Sequence, residues 1–280
     1  MIYIFRRAAS ESARDLAEAI NLNCRKIADL TRAHFGNGVR AGDTVVCWGE
    51  HLAPIPGVKI LNGAAVANKL EDAMKLKRAG VPTVEVSTTQ PALVPAEDPA
   101  IATWRAVMRD VPHPLDRPAI TRVVEQMQQA LRLPIPVVSV WLPRRVNHIG
   151  GTDLLHPPAQ PDYYSKKEDI VEEYRVHCFN GKSIRAGIKA PRTGATQHPW
   201  IRSYDAGWSI KYTDFKSKKS MRELAAKAVE ALGLQFGAVD IGKKADGTLI
   251  VLEVNRAPGL SDNSATVYAK AIEQWITETA

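Results

Sequence analysis

The clearest hydrophobic pattern in the chain lies near its carboxyl end, where two apolar segments flank a short polar turn. The run from Gly237 to Leu260 predicts a β-hairpin with Asp246-Gly247 at the turn. Strict alternation along the second strand gives two faces, with Leu249, Val251, Glu253 and Asn255 on one and Ile250, Leu252 and Val254 on the other. Because a carboxylate is costly in an apolar strand, Glu253 marks the end of this strand as a candidate functional position.

The first part of the chain has the pattern of a small α/β unit, which we place at residues 1–62. Ile2–Phe5 and Thr44–Trp48 are apolar runs of strand length, and Ser10 is a plausible cap for the helix between them. One face of that helix carries Ala13, Leu16, Ala17 and Ile20. No glycine-rich dinucleotide fingerprint follows the first strand, so this unit indicates no cofactor by itself.

Helical periodicity predicts three further helices. The first covers Val66–Ala79 and ends at Gly80 and Pro82. The second opens with a capping box formed by Ser220 and Glu223. The third starts at about Ser264 and turns these residues inward: Val267, Ala271, Ile272 and Trp275.

The polar positions of the hairpin fit a site for Mg²⁺ and a nucleotide. Mg²⁺ takes oxygen ligands, and it commonly binds one or two protein carboxylates together with nucleotide phosphates and water. Glu253 is placed to bridge two ions, with Asn255 on one and Asp240, from the neighbouring strand, on the other. The alternative interpretation is an ordinary hairpin with a solvated polar end.

Basic residues concentrate in one part of the chain. The 280 residues carry a formal net charge of +7, and residues 163–222 hold thirteen basic against six acidic residues, which equals the whole excess. A positive field attracts polyanions and stabilises the charge that moves during phosphoryl transfer. Lys189 and Arg202 stand among apolar residues and are candidates for phosphate-binding cations, whereas Lys218 and Lys219 fit a solvated surface.

A candidate phosphate loop lies further upstream, after an apolar strand predicted over residues 136–142. The strand leads into Arg144, Arg145, Gly150, Gly151 and Thr152. Paired glycines let backbone amides approach phosphate oxygens, and adjacent cations neutralise phosphate charge. The sequence does not choose between Arg144 and Arg145.

These motifs resemble the ATP-grasp superfamily, especially the carboxylate–amine ligase branch that contains the ribosomal-protein glutamate ligases. The resemblance rests on the following segments: Val239-Asp240, Leu252–Leu260, Glu173–Val176, Phe179–Lys182, Ala186–Lys189 and Ile201–Ser203. It is specific from about residue 171 to 260 and only generic before residue 136. Where those ligases tend to have Arg-Ser-Asn, this chain has Arg202-Ser203-Tyr204, a departure on the acceptor side.

The resemblance implies an ATP-grasp fold of the α+β class, in which two lobes clasp ATP and a small N-terminal α/β domain precedes them. It implies a central lobe with the phosphate loop at residues 63–172 and a C-terminal lobe with the metal site at 173–280. It also implies ATP and two Mg²⁺ ions, with Mn²⁺ as a substitute, held by Asp240, Glu253 and Asn255.

The resemblance further implies roles for the basic residues. The ATP-binding set comprises Arg144 or Arg145, Gly150, Gly151, Thr152, Lys166 or Lys167, Arg175 and Lys189. Lys189 and Arg202 would hold the γ-phosphoryl group and then an acylphosphate, and Arg256 would orient the substrate carboxylate.

The implied activity is ATP-dependent joining of a carboxylate to an amine through an acylphosphate, with release of ADP and phosphate. The two substrates stay open among an amino acid, a peptide, a protein terminus and a modified nucleotide. One alternative is a catalytically silent ATP-grasp-like binding module. Another, less favoured, is a basic nucleic-acid-binding protein, suggested by a pI near 9.3; it would not need the metal triplet.

Two sequence features bear on location. No run approaches the about 18 apolar residues of a membrane span, and Arg6-Arg7 after Ile2–Phe5 is the reverse of a signal peptide. Three unclustered cysteines favour neither a disulfide framework nor a zinc site. We therefore expect a cytoplasmic protein that does not bind a membrane.

Overall fold

The computed structural model describes residues 1–6, 10–20, 24–28, 39–63, 68–89, 91, 141–146, 158, 160–198, 201–213 and 215–279. The elements in chain order are β1 (Ile2–Arg6), α1 (Glu11–Ala19), β2 (Cys24–Ala28), β3 (Thr44–Cys47), β4 (Lys59–Leu61), α2 (Lys69–Arg78), β5 (Val86–Ser87), β6 (Trp141–Arg144), β7 (Tyr163–Lys166), β8 (Ile170–Phe179), β9 (Lys182–Pro191), β10 (Trp208–Lys211), α3 (Lys219–Ala231), β11 (Phe236–Lys244), β12 (Leu249–Asn255) and α4 (Ser264–Glu278). They form two compact units, one of residues 1–83, 170–189 and 210–280, the other of residues 84–169 and 190–209. The predicted division into three domains stays a prediction.

The first unit begins with a four-stranded parallel sheet in the order β2-β1-β3-β4. Ser10 caps α1, since its hydroxyl accepts a hydrogen bond from the Ala13 amide at 3.2 Å. The predicted apolar face of this helix is buried: Ala13, Leu16, Ala17 and Ile20. These observations confirm the α/β pattern at the start of the chain.

The second sheet of this unit is five-stranded, in the order β10-β9-β8-β11-β12, with antiparallel pairing through β9, β8, β11 and β12. Helix α3 covers one face of it and buries these residues: Met221, Ala225, Ala228 and Val229. Burial of apolar side chains here supplies the main favourable term for folding.

The predicted capping box is wrong. Helix α3 begins at Lys219, so Ser220 already lies inside the helix, and the N-cap residue Lys218 makes no side-chain cap hydrogen bond. The helix begins two residues earlier than predicted, and the Arg222 amide donates to the Lys218 carbonyl at 3.2 Å. The Arg222 side chain also reaches back to the Ser217 carbonyl at 2.5 Å.

Helix α2 ends where the sequence predicts, and the described part of its start falls within the predicted range. It ends before Gly80, which has φ 65°, and the Val81 amide returns to the Leu76 carbonyl at 2.9 Å. Asn68 caps the helix by accepting hydrogen bonds from the amides of residues 70 and 71. The earlier part of the predicted helix, at residues 66 and 67, lies outside the described residues.

Aromatic side chains join the two sheets of the first unit. Trp48 stacks on Phe236 with ring centroids 5.3 Å apart, and Tyr268 meets both rings edge-on. The buried face of α4 is therefore centred on Ala265, Tyr268, Ala269 and Ile272. Ile272 is buried as predicted, and the predicted Ala271 and Trp275 are half-buried and pack against the same core. The predicted Val267 is only half-buried.

A buried asparagine fixes the start of β11. Asn62, 3% exposed with φ 58°, accepts hydrogen bonds from the amides of Gln235 and Phe236 at 2.8 and 3.2 Å. Its amide nitrogen donates to the Phe236 carbonyl at 2.8 Å. The end of β4 is thereby tied to the strand that carries Asp240.

The second unit contains a three-stranded antiparallel sheet in the order β5-β7-β6. Of the strand predicted at residues 136–142, only residues 141 and 142 are described, and they begin β6, which continues to Arg144. In the segment 190–209, Gly207 has φ 85°, and a Cβ there would lie 2.2 Å from the Thr196 carbonyl oxygen. Glycine is therefore required at position 207, where the backbone at residue 196 approaches closely.

None of the helices in the described part of the chain combines the length and the apolar character of a membrane span. The longest of them, α4, has 15 residues, against about 20 needed to cross a bilayer.

Candidate functional site

The candidate site lies on one face of the β11–β12 hairpin. Asp240 is directly opposite Glu253, and Ala238 is opposite Asn255. Directly opposed residues of an antiparallel pair project to the same face, so the two carboxylates and the amide come together. The structure thus brings the three predicted metal ligands to neighbouring positions.

A β-bulge corrects the predicted alternation. The register shifts after Asp240, so that Ile241 pairs with Val251 and Leu252 is an extra residue in β12. Leu249 and Val251 consequently pack with Val254 in the core under α3, not on the face of Glu253 as predicted. The bulge lets the strand stay buried while its last residues carry polar groups on the opposite face.

Asp240 is the centre of a buried ionic cluster. Arg175 on β8 donates to both of its oxygens, Nε to Oδ1 at 2.7 Å and Nη2 to Oδ2 at 2.8 Å. Lys189 on β9 donates to Oδ2 at 3.2 Å and also contacts Glu173 on β8. Four residues from three strands therefore form a chain of three ion pairs, Arg175–Asp240, Asp240–Lys189 and Lys189–Glu173.

The pKa values in this cluster follow from burial and from charge. Burial alone would raise the pKa of Asp240, but Arg175 and Lys189 hold it well below its ordinary value. Burial would lower the pKa of Lys189, but Asp240 and then Glu173 raise it above its ordinary value. Asp240 and Lys189 are therefore both charged at neutral pH.

Glu253 is the more accessible carboxylate of the hairpin. Its side chain is 35% exposed and its Oε2 pairs with Lys69 Nζ on α2 at 3.1 Å. Asn255, next on the same face, has a buried Nδ2 with no hydrogen-bond partner among the described residues. A buried amide left partly unsatisfied is unusual in a folded protein and fits a group whose partner is a ligand.

These residues fit Mg²⁺. Glu253 and Asn255 offer oxygen atoms at neighbouring positions, as the ion prefers. A carboxylate has about four lone-pair sites, and three of those on Asp240 accept hydrogen bonds, which leaves one for a metal. The described residues contain no group of three or more His, Cys, Asp or Glu that could hold a metal ion.

Arg256, predicted to orient a substrate carboxylate, forms a fork with Asp72 on α2. Its Nη1 and Nη2 donate to the two carboxylate oxygens at 2.6 and 2.7 Å, and both side chains are buried. Its Nε is buried and has no hydrogen-bond partner in the described part of the chain. The predicted contact with a substrate remains a prediction.

His177 extends the polar face beyond Arg175. It is fully buried, with Nε2 2.8 Å from the Tyr212 hydroxyl and Nδ1 3.2 Å from the Tyr268 hydroxyl. Burial, and after it the positive charge of Arg175, lowers its pKa to about 3. The ring is therefore neutral at physiological pH and has a structural role between two tyrosines.

A pH dependence of stability follows from His177. Below about pH 6.5 the unfolded chain takes up a proton at His177 that the folded protein excludes down to about pH 3. The stability that the neutral ring contributes is thus present above pH 6.5 and lost as the pH falls. Urea unfolding should show the wild-type advantage over His177→Gln shrinking by about 1.4 kcal/mol per pH unit between pH 6 and 4. Parallel pH profiles for the two proteins would contradict this assignment.

The other predicted ATP-binding residues lie in the second unit or outside the described residues. Arg144 ends β6 and Arg145 follows it on the surface. Lys166 ends β7, where it pairs with Glu85 at 3.4 Å, and Lys167 follows. Arg202 lies in the second unit, with its guanidinium carbon 5.0 Å from the Trp208 ring centroid. Gly150, Gly151 and Thr152 fall outside the described residues.

The sequence is similar to known proteins over part of its length only, and no protein-family model matches the chain. A D-alanine–D-alanine ligase of Pseudomonas fluorescens is 33% identical over 106 residues, which is 34% of this chain and 32% of that ligase. The chain spans about a third of the length of the curated relatives it matches.

Solved structures are similar over almost the whole chain. The ATP-grasp ligase PsnB, complexed with a minimal precursor, Mg and ADP, superposes with a TM-score of 0.57 at 12% identity and covers 99% of this chain and 98% of that one. The D-alanine–D-alanine ligase from Bacillus anthracis, complexed with ATP, gives a TM-score of 0.53 at 12% identity, covering 100% and 98%. The chain has the ATP-grasp fold. The α+β class predicted from the sequence is thereby confirmed, and the chain resembles ligases of this fold.

Two residues of this ATP-grasp chain that contact the candidate site were absent from the predicted set. Lys69 and Asp72 lie one turn apart on α2 and contact Glu253 and Arg256. Their i, i+3 spacing on a predicted helix was visible in the sequence. Their partners, 184 residues away, were not.

Proposed function

We propose that the protein is an ATP-dependent ligase that joins a carboxylate to an amine through an acylphosphate and releases ADP and phosphate. The observation that carries the proposal is the hairpin face on which Asp240, Glu253 and Asn255 lie beside the buried cations Arg175 and Lys189. The ATP-grasp fold and the partial identity to a D-alanine–D-alanine ligase support it.

The hairpin residues would bind the metal end of the nucleotide. Asp240, Glu253 and Asn255 would hold two Mg²⁺ ions, or Mn²⁺ in their place, which would supply positive charge to neutralise the charge that develops during transfer. Glu253 is accessible for this purpose, because its side chain is 35% exposed and its ion pair with the partly exposed Lys69 is weakened by solvent screening. Asn255 would turn its amide oxygen toward the same ion, and Asp240 would use its remaining lone pair.

The cations would act on the transferred phosphoryl group. Lys189 is held by Glu173 and Asp240, so its position is fixed before any substrate arrives. A fixed cation in a water-poor site stabilises developing charge without reorganisation. We assign the same role to Arg202, and we assign ATP contacts to Arg175, to Arg144 or Arg145, to Lys166 or Lys167, and to Gly150, Gly151 and Thr152.

The substrates would be a carboxylate and an amine whose identity is open among an amino acid, a peptide, a protein terminus and a modified nucleotide. PsnB is seen with a precursor peptide and the Bacillus anthracis protein is a D-alanine–D-alanine ligase, so small amino acids and peptides are the first compounds to screen for stimulated ADP formation. We propose a cytoplasmic location. A catalytically silent ATP-binding module would bind ATP but show no stimulated release.

The burial of several cations does not favour a nucleic-acid-binding function. Arg175, Arg185 and Lys189 belong to the basic stretch, but their side chains are 18% or less exposed and each pairs with a carboxylate. These three cations are consequently not part of an exposed basic surface. Sequence-independent binding to nucleic-acid phosphates would use such a surface.

The nucleotide product tests the reaction class. If the substrate carboxylate attacks the γ-phosphorus, the products are ADP and phosphate, and one carboxylate oxygen leaves with the phosphate. With ¹⁸O-labelled carboxylate substrate, mass spectrometry should therefore find ¹⁸O in the released phosphate. AMP and pyrophosphate, or unlabelled phosphate during productive coupling, would contradict the acylphosphate route.

A further inference from the structure

Helix α2 contacts the end of β12 through two ion pairs with matched spacing. Lys69 pairs with Glu253, and Asp72 pairs with Arg256, so the partners are three residues apart on both the helix and the strand. Residues three apart on a helix lie on the same side. One side of the first turn of α2 therefore meets the segment that carries Glu253 and Asn255.

The two pairs differ in burial. The Lys69 and Glu253 side chains are 24% and 35% exposed and share one contact at 3.1 Å. The Asp72 and Arg256 side chains are 11% and 4% exposed and share two, at 2.6 and 2.7 Å. A planar guanidinium bound to a carboxylate at two points fixes direction as well as distance. The first pair can yield to a ligand, whereas the second is a permanent contact.

The backbone around the ligand residues is anchored on both sides. Before them, the Val251 amide donates to the Pro82 carbonyl at 2.8 Å and its carbonyl accepts from Thr83 Oγ1 at 2.9 Å. After them, a Cβ at Gly49 would lie 2.9 Å from the Cβ of Ala257. Between these anchors, the fork of Arg256 is the buried charged contact that the described residues provide next to Asn255.

Stability alone does not account for such a fork. Replacing a buried ion pair by apolar residues of similar size is often neutral or stabilising, because desolvation offsets the attraction between the charges. What the charged pair adds is a defined geometry for the residue that follows Asn255. In the part of the chain that the structure describes, the side-chain hydrogen bonds and ion pair of Asp72 go to Arg256 and not to the three proposed metal ligands, so its influence on them acts through Arg256.

We infer that Asp72 is a positioning residue, which orients the metal-binding end of β12 through its fork with Arg256. The inference rests on the proposed function, since it assumes that Glu253 and Asn255 hold a divalent ion with a nucleotide. On this inference, Arg256 supports the backbone next to the proposed metal ligand Asn255.

The test compares binding of Mn²⁺ with ADP present, followed by electron paramagnetic resonance, in folded protein. Asp72→Asn should weaken Mn²⁺ binding about tenfold or more, as loss of an outer support of a metal site typically does. The double variant Asp72→Leu with Arg256→Met should keep its unfolding temperature near wild type and show the same loss. Lys243→Met, which breaks an ion pair with Glu172 at the other end of β11, should bind Mn²⁺ as wild type does.

A purely structural role predicts a different pattern. If Asp72→Asn lowers the unfolding temperature but its folded fraction binds Mn²⁺ with wild-type affinity, or if the apolar double variant binds normally, the inference is overturned while the proposed function stands. If the wild-type protein binds no Mn²⁺ with ADP, the proposed function fails and the inference falls with it.

Discussion

Replacing Glu253 with alanine should reduce ATP turnover by at least about 10³-fold while the protein stays folded. The carboxylate is the accessible acid of the hairpin face and lies opposite Asp240. Loss of this ligand would remove the metal, which stabilises transition-state charge by several kcal/mol. Each increase of about 1.4 kcal/mol in the activation free energy lowers the rate tenfold. Lys69 loses its partner in this variant, but its partial exposure lets water solvate the ammonium group.

ADP formation at saturating ATP, with thermal unfolding in parallel, measures this effect. The matched control is Glu223→Ala, which removes an exposed glutamate paired with Lys219 on α3 and should leave turnover unchanged. Wild-type activity in Glu253→Ala would refute the assignment of the hairpin as the metal site.

Lys189→Ala and Arg202→Ala should each lower the rate by on the order of 10²-fold or more, because the proposed function assigns both cations to the transferred phosphoryl group, whose developing charge they would stabilise. The structure adds a second effect for Lys189. Its removal leaves the carboxylates of Glu173 and Asp240 without a shared cation, and breaking a buried pair typically costs about 3–5 kcal/mol of stability. Turnover of this variant therefore has to be measured well below its unfolding temperature.

The control for the cations is the double variant Lys218→Ala with Lys219→Ala. Lys219 is 82% exposed, and solvated lysines contribute little to a screened interaction. We expect turnover near wild type in this variant. Equal losses in all these proteins, reproduced in wild type by added salt, would show instead that the basic stretch acts as a diffuse surface for polyanions.

The sequence was sufficient to locate the hairpin and the polar end of β12, because an acid after an apolar strand is visible in the pattern. The bulge at Leu252 was not visible, since the residues on both faces of this seven-residue strand are apolar until Glu253. Packing against α3 decides which residues face the core. Val251 and Val254 both lie in the core with α3, and only an extra residue between them lets both point to the same face.

Long-range pairing was the other limit. Asp72 and Arg256 are 184 residues apart, and a charged residue in the first turn of a helix usually indicates a solvated position or an interaction with the helix dipole. Similarly, Arg175 and Lys189 were expected to face phosphates, and the structure shows that they also neutralise Asp240. Which acid a buried base meets depends on sheet register, which local periodicity does not determine.

The most direct test of the central claim is a crystal structure with ADP and Mn²⁺, in which anomalous scattering locates the metal. We expect a Mn²⁺ peak within roughly 2.0–2.3 Å of a carboxylate oxygen of Glu253 and the amide oxygen of Asn255, in contact with the nucleotide phosphates. Lys69 should have moved away from Glu253 in that complex. An ordered nucleotide whose metal peak lies away from both residues would show that the end of β12 does not hold the metal.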